Sequence, residues 1–223
     1  MVQRSDVNYF GAGPAPLPTA VLEKASQALL NYQDKGLGLC EISHRSPEAN
    51  AILAETKEAL TDLLEIPEDY DILFLQSGGS GEFSATVYNL VSIWVEKKRA
   101  QIAQEIGDNK EEVLKKLRKV VDEELKVDYL VTGSWSLKAS QEAARLIGAK
   151  HVNVAVDARK ANDGKFGKIP SEDQWTLTPR SAGGPAFVYF CDNETVDGVE
   201  FPSFPKSLEG DDAPIVVADM SSN

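Results

Sequence analysis

The sequence predicts an α/β fold built on a mostly parallel central sheet. Short, continuous apolar runs occur at Ile72–Leu75, Tyr129–Val131, Val152–Val156, Ala186–Phe190 and Ile215–Ala218. Helix-period stretches separate several of them, and glycine-rich or polar turns close their carboxyl ends. Uninterrupted apolar strands suit a sheet covered on both faces, and strands separated by helices run parallel.

The first residues of the chain set its organisation. Residues 8–18 are too rich in glycine and proline for regular structure, so 1–18 reads as an N-terminal arm and 19–223 as the large domain. A helix begins near Thr19 with Val21, Leu22, Ala25, Leu29 and Leu30 on one face, and Lys35-Gly36 supplies its basic last turn and stop. The next has Ser46 as N-cap, Pro47 at the first position and Glu48 in the first turn. Ile52, Leu53, Leu60, Leu63 and Leu64 form its apolar stripe. The run Ile72–Leu75 reads as a strand, succeeded by Gln76–Gly81 and a helix from Glu82 to Lys97. Tyr129–Val131 is a second strand, leading through Thr132-Gly133-Ser134-Trp135 into a helix that ends at Ile147. Two stretches interrupt the rhythm. Residues 97–126 are densely charged, with Val113, Leu114, Leu117, Val120, Val121 and Leu125 at helical spacing. They read as a solvated amphipathic helix on the body or a helix that binds a partner. Residues 157–184 read as a long linker, and such loops are often functional or mobile.

Composition excludes several function classes. At 223 residues the chain is one large domain, or one domain and part of another, and 42% apolar residues can supply its core. A net charge of −12 argues against a general nucleic-acid binder, which needs surplus lysine and arginine. No apolar run approaches the roughly 18 residues of a membrane span, and the polar start with prolines close behind it is not a signal peptide. Cys40 and Cys191 are too few for a disulfide scaffold or a four-thiolate zinc site, which fits a reducing cytoplasmic location. His44 and His151 are the only histidines, and neither has a metal-ligand partner at usable spacing, so no metal is expected.

Several residues could carry chemistry. Gly78-Gly79-Ser80-Gly81 lies between a predicted strand and helix, where backbone N–H groups and the helix dipole can hold an anion. The same residues also make an ordinary tight turn, and they match neither G-x-G-x-x-G nor a P-loop. Trp135 opens a helix at the sheet's carboxyl edge, where its ring stacks on a planar ligand or packs in the core. Asp219 ends the last strand, where it meets a cationic partner such as a protonated ring nitrogen or caps the next turn. Arg45, beside His44, is an anion fork or half of a surface ion pair. Asn193-Glu194-Thr195 offers donors for a cofactor hydroxyl or builds an Asx turn. Together these sketch a phosphate cradle, a stacking ring, a carboxylate and a polar donor, the four parts that pyridoxal phosphate requires.

The segments that carry these residues resemble the phosphoserine aminotransferases, class-V pyridoxal-phosphate transaminases with the aspartate-aminotransferase-like fold, fold type I. The resemblance runs through Phe10-Gly11-Ala12-Gly13-Pro14-Ala15, Glu41-Ile42-Ser43-His44-Arg45-Ser46 and Phe74-Leu75-Gln76-Ser77-Gly78-Gly79. It continues through Val131-Thr132-Gly133-Ser134-Trp135-Ser136, Asn193–Glu200 and Val217-Ala218-Asp219-Met220-Ser221-Ser222, in family order and closest to the fungal branch. It implies that Gly79 and Ser80 contact the cofactor phosphate, Trp135 stacks on its ring, Thr195 lies near its ring hydroxyl and Asp219 keeps its ring nitrogen protonated. It also implies substrate contacts from Arg45, His44 and Ala12, with glutamate and 3-phosphohydroxypyruvate as substrates of a cytoplasmic homodimer. No catalytic residue carries over. The family's Schiff-base lysine belongs to an Ala-Gly-Ala-Gln-Lys-Asn type segment expected beyond Asn223, so 19–223 is expected to be an incomplete large domain without the small C-terminal domain. The alternatives are a non-catalytic fragment that keeps the cofactor cradle and dimerisation surfaces, and another class-V enzyme.

Overall fold

The computed structural model describes residues 2–223 apart from Ala12 and Pro14. It divides into two compact units, residues 1–74 and 75–223.

The first unit carries α1 (Thr19–Leu30) and α2 (Pro47–Leu64). The Ser46 hydroxyl accepts from the Ala49 amide at 3.2 Å, which makes Ser46 the cap its sequence position predicts. Helix α1 stops at Leu30, before Lys35-Gly36, because Asn31 leaves helical geometry and its side chain accepts from the Gly36 amide at 2.7 Å. Among the described residues of this unit no hydrophobic side chain is buried, and Val21, Leu29, Leu53 and Leu63 are exposed. Residues 72–75 form no strand, contrary to the sequence reading. They have no ladder partner among the described residues, and an apolar run without a paired neighbour lacks the hydrogen bonds that define a strand.

The second unit holds α3 (Gly78–Ile106), α4 (Lys110–Glu124), β1 (Val127–Val131), α5 (Ser134–Ile147) and β2 (Val152–Asp157). Then come β3 (Val188–Cys191), β4 (Asn193–Glu194), β5 (Val199–Glu200) and β6 (Val216–Asp219). Strands β2-β1-β3-β6 form one parallel sheet in that order, while β4 and β5 form a small antiparallel ladder. Side chains alternate across each strand. Val127, Tyr129 and Val131 of β1 join Tyr189 and Cys191 of β3 against Val87 and Trp94 of α3 and Ala139 and Ala143 of α5. On the opposite face Leu130, Val188 and Phe190 pack against Phe201 and Leu208. β1 is buried along its whole length, as a strand inside a two-sided sheet must be.

The charged stretch is not one helix but the far end of α3 and all of α4, folded back on each other. Gly107, at φ +87°, ends α3, and Asn109 caps α4 by accepting from the Glu111 amide. Ile102, Val113 and Leu117 give this hairpin its own apolar seam. The predicted linker 157–184 is tied to the sheet by buried Asp128, which accepts from the Thr178 amide and hydroxyl at 2.6 Å each and from Asn153 at 3.0 Å.

Candidate functional site

The carboxyl ends of β3 and β6, the start of α3 and the amino-terminal half of α5 line an open cavity of about 360 Å³. Gly79, Ser80, Trp135 and Asp219 line it, so four residues singled out in the sequence converge on one place. Thr195 stands at the rim, where its hydroxyl accepts from the Trp135 indole N–H at 3.3 Å and pairs with the hydroxyl of Ser222, a lining residue, at 3.4 Å.

The parallel register of β3 and β6 sets Cys191 opposite Asp219, and the same-face alternation brings Tyr189 to this side as well. The Tyr189 hydroxyl donates to Asp219 Oδ2 at 2.7 Å, while the Ser221 amide and hydroxyl donate to Oδ1 at 3.0 and 2.6 Å. Burial pushes the Asp219 carboxyl up, but these three donors outweigh it and hold the group below the usual carboxylate range. A negative charge is thereby fixed in the cavity wall. Burial, reinforced by Asp219, raises the Tyr189 phenol above its ordinary value, so it stays a donor. Phe83 and Tyr129 brace its ring, with centroids 5.8 and 5.1 Å away.

Trp135 is 41% exposed, which decides against simple core packing. Its ring carries the Lys138 ammonium 4.4 Å from the centroid, and Lys138 is the one lysine or arginine among the described lining residues. Across the cavity, Gly78 adopts φ +59°, a left-handed conformation that favours glycine. A Cβ on Gly79 would meet nothing within 4 Å, so this backbone is open to close approach. Ser77 makes no side-chain cap, which leaves the first amides of α3 uncapped. Helix α5 differs, since its Ser134, Trp135 and Ser136 amides are taken by carboxylates of Asp197 and Glu194. Of the two helix N-termini, α3's is the one that can receive an anion.

Cys191 also lines the cavity. Burial, with the charges of Glu194 and Asp219 next in weight, pushes its thiol up to about 12, which keeps it neutral. His44 and Arg45 lie in the first unit, exposed in the turn before α2, and among the described residues Arg45 joins no ion pair. Ala12 lies outside the described residues.

Sequence reasoning missed Tyr189 and Lys138, and named Glu194 only within Asn193-Glu194-Thr195, without its role at Trp135. The signal for Tyr189 was available, because period-2 alternation places it on the face of Cys191, next to the strand that ends in Asp219. Lys138 stands three residues after Trp135, a helical neighbour position. Glu194 had no local signal, since its partners lie 58 and 59 residues away.

The family pattern described as "Aminotransferase class-V" matches residues 7–170. The phosphoserine aminotransferase of Saccharomyces cerevisiae is 41% identical over all of this chain and 50% of that protein. That of Ectopseudomonas mendocina is 37% identical over 96% of this chain and 47% of its own. The chain thus spans about half the length of the curated relatives it matches. Among solved structures, the pyridoxal-phosphate-bound phosphoserine aminotransferase of Trichomonas vaginalis superposes with a TM-score of 0.68 at 32% identity, covering 96% of this chain and 50% of that one. The enzyme of Bacillus circulans gives 0.66 at 28% identity, over 94% and 46%.

Proposed function

The chain belongs to the class-V aminotransferase family, and we propose that it forms the part of a phosphoserine aminotransferase that grips pyridoxal phosphate. The observation that carries this reading is the convergence of Gly79, Ser80, Trp135 and Asp219 on one cavity. Its volume of about 360 Å³ suits a small aromatic phosphate. The uncapped amides at the start of α3 take the phosphate, and Trp135 covers one ring face and excludes water from it. Asp219, held ionised by Tyr189 and Ser221, accepts from the ring nitrogen and keeps its proton in place. The Thr195 hydroxyl at the rim would offer a hydrogen-bonding partner to the cofactor's ring hydroxyl. When bound, the cofactor supplies an electron sink for the substrate's α-carbon.

The family reading extends to the whole protein. Glutamate donates the amino group and 3-phosphohydroxypyruvate accepts it, giving 2-oxoglutarate and O-phosphoserine. Arg45, His44 and Ala12 are assigned to the substrate anions. The exposed apolar stripes of α1 and α2 support a second copy of the chain as partner. The free thiols of Cys40 and Cys191 support a cytoplasmic location, and no helix among the described residues is long and apolar enough to cross a membrane.

Titration of the chain with pyridoxal phosphate, monitored by quenching of tryptophan fluorescence, tests the cradle. Saturable binding that inorganic phosphate competes away, and that W135F and D219N weaken at least about tenfold, is expected. Equal affinity in all three proteins overturns the assignment. O-phospho-L-serine is expected to perturb the absorbance of the loaded protein where L-alanine does not, and an equal response overturns the substrate class.

A further inference from the structure

We propose that Glu194 is a positioning residue whose buried carboxylate locks the Trp135 ring and the Thr195 hydroxyl into one rigid piece of cavity wall. The proposal rests on the reading of that wall as a cofactor site, but its geometry stands separately.

Glu194 is 0% exposed, and both its oxygens are used: Oε2 accepts from the Trp135 amide at 2.7 Å and Oε1 from the Ser136 amide at 2.9 Å. Asp197 completes the clamp by accepting from the Ser134 amide at 2.6 Å. Glycine at 133 makes the room, because a Cβ there would fall 2.4–2.6 Å from three carbons of the Glu194 side chain. The carboxylate is itself anchored, since Glu194 pairs with Val199 in the β4–β5 ladder and its carbonyl accepts from the Asp197 and Gly198 amides. Thr195 is the next residue, and it receives the Trp135 indole N–H.

A serine, threonine or aspartate at position 133 could satisfy the same orphan amides locally. The chain instead brings a carboxylate from 58 and 59 residues away. A local cap would hold the helix and leave its ring free of the β4–β5 hairpin. The long-range clamp does both tasks, joining Trp135 to Thr195 through the backbone on one side and through the indole on the other. The separation between the stacking ring and the rim hydroxyl is thereby fixed before any ligand arrives, which is preorganisation of the site.

The test uses the whole chain and NMR of its three indole N–H groups, Trp94, Trp135 and Trp175, with W135F assigning the middle one. E194Q keeps the shape but turns one acceptor into a donor facing an N–H. It is expected to move the Trp135 indole resonance and speed amide exchange at Trp135 and Ser136 by about tenfold or more, while Trp94 and Trp175 stay put. E194D, which retains the charge on a shorter stem, is expected to fall between wild type and E194Q. In the same samples, affinity for pyridoxal phosphate is expected to drop about tenfold in E194Q. An unmoved Trp135 indole together with wild-type exchange overturns the clamp. If the wild-type chain takes up no pyridoxal phosphate, the cofactor reading fails while the indole and exchange data still decide the clamp. Should E194Q not fold, D197N serves: it is expected to speed exchange at Ser134 and shift the Trp135 indole, and an unchanged spectrum overturns the proposal.

Discussion

The Tyr189 hydroxyl donates to Oδ2 of Asp219 at 2.7 Å, joining two side chains of neighbouring parallel strands that line the same cavity. The bond matters because Asp219 sits where burial alone would favour its neutral acid. Tyr189 and Ser221 reverse that preference and keep the carboxylate ionised.

Removing one donor should therefore change the acid behaviour of the site. Asp219's pKa is depressed in the folded chain, so its charge, and the stability that charge brings, is present above the unfolded value and lost as pH falls through the folded one. Y189F is expected to raise that pKa, so the acid limb of pyridoxal-phosphate binding moves to higher pH. Affinity measured against pH checks this, and an unmoved limb rules out Tyr189 as the tuning group.

Substituting the carboxylate directly has a different signature. D219N preserves the shape but removes the charge that faces a protonated ring nitrogen, and it is expected to weaken pyridoxal phosphate by about ten- to a hundredfold at neutral pH. Affinity for inorganic phosphate should stay unchanged, since that anion addresses the far end of the cavity. Equal losses for both ligands would mean that the cavity had collapsed.

Two glycines make opposite predictions. G79A adds a methyl into open space at the start of a helix, so thermal stability is expected to hold or rise by about 0.5 kcal/mol while phosphate affinity falls. G133A drives a methyl into Glu194 and is expected to cost about 1–3 kcal/mol. Melting curves with and without phosphate separate the two, and a shared fall in stability would count against Gly79 as an anion contact.

The cysteines differ in reach. Cys40 is exposed, whereas Cys191 is buried with its thiol pushed up to about 12. Iodoacetamide at mildly alkaline pH is expected to label Cys40 alone in the native chain and both residues after denaturation, as read by peptide mass mapping. Native labelling of Cys191 would show that the cavity opens further than its walls indicate.

The α3–α4 hairpin weighs apolar packing against ion pairing. L117A removes a buried leucine from the seam with Ile102 and Val113 and is expected to cost about 2–4 kcal/mol. K116A breaks the exposed pair with Glu105, at 2.5 Å, and is expected to leave stability nearly unchanged. Chemical denaturation of both variants checks the ranking.

Much of this protein was legible in its order of residues. The N-cap at Ser46 and the strands ending near Val131, Phe190 and Asp219 obey rules that act over a few residues, whereas the glycines read as a turn before Glu82 are the first turn of α3. The nomination of Trp135 and Asp219 obeys such rules too, because the small polar residues of the adjoining turn mark a strand's carboxyl end locally, whereas Gly79 follows a run that forms no strand. The tertiary structure decided what those rules cannot reach. It left Ile72–Leu75 out of the sheet, since a strand exists only where a neighbour supplies its hydrogen bonds. It folded the charged stretch into a hairpin because apolar side chains on two helices found each other. It also chose the partners of the site: Tyr189 for Asp219, across a parallel register, and Glu194 for Trp135, across 59 residues. Period, capping and turn chemistry are written in adjacent residues, whereas a hydrogen bond between distant side chains exists only once the topology has brought them together.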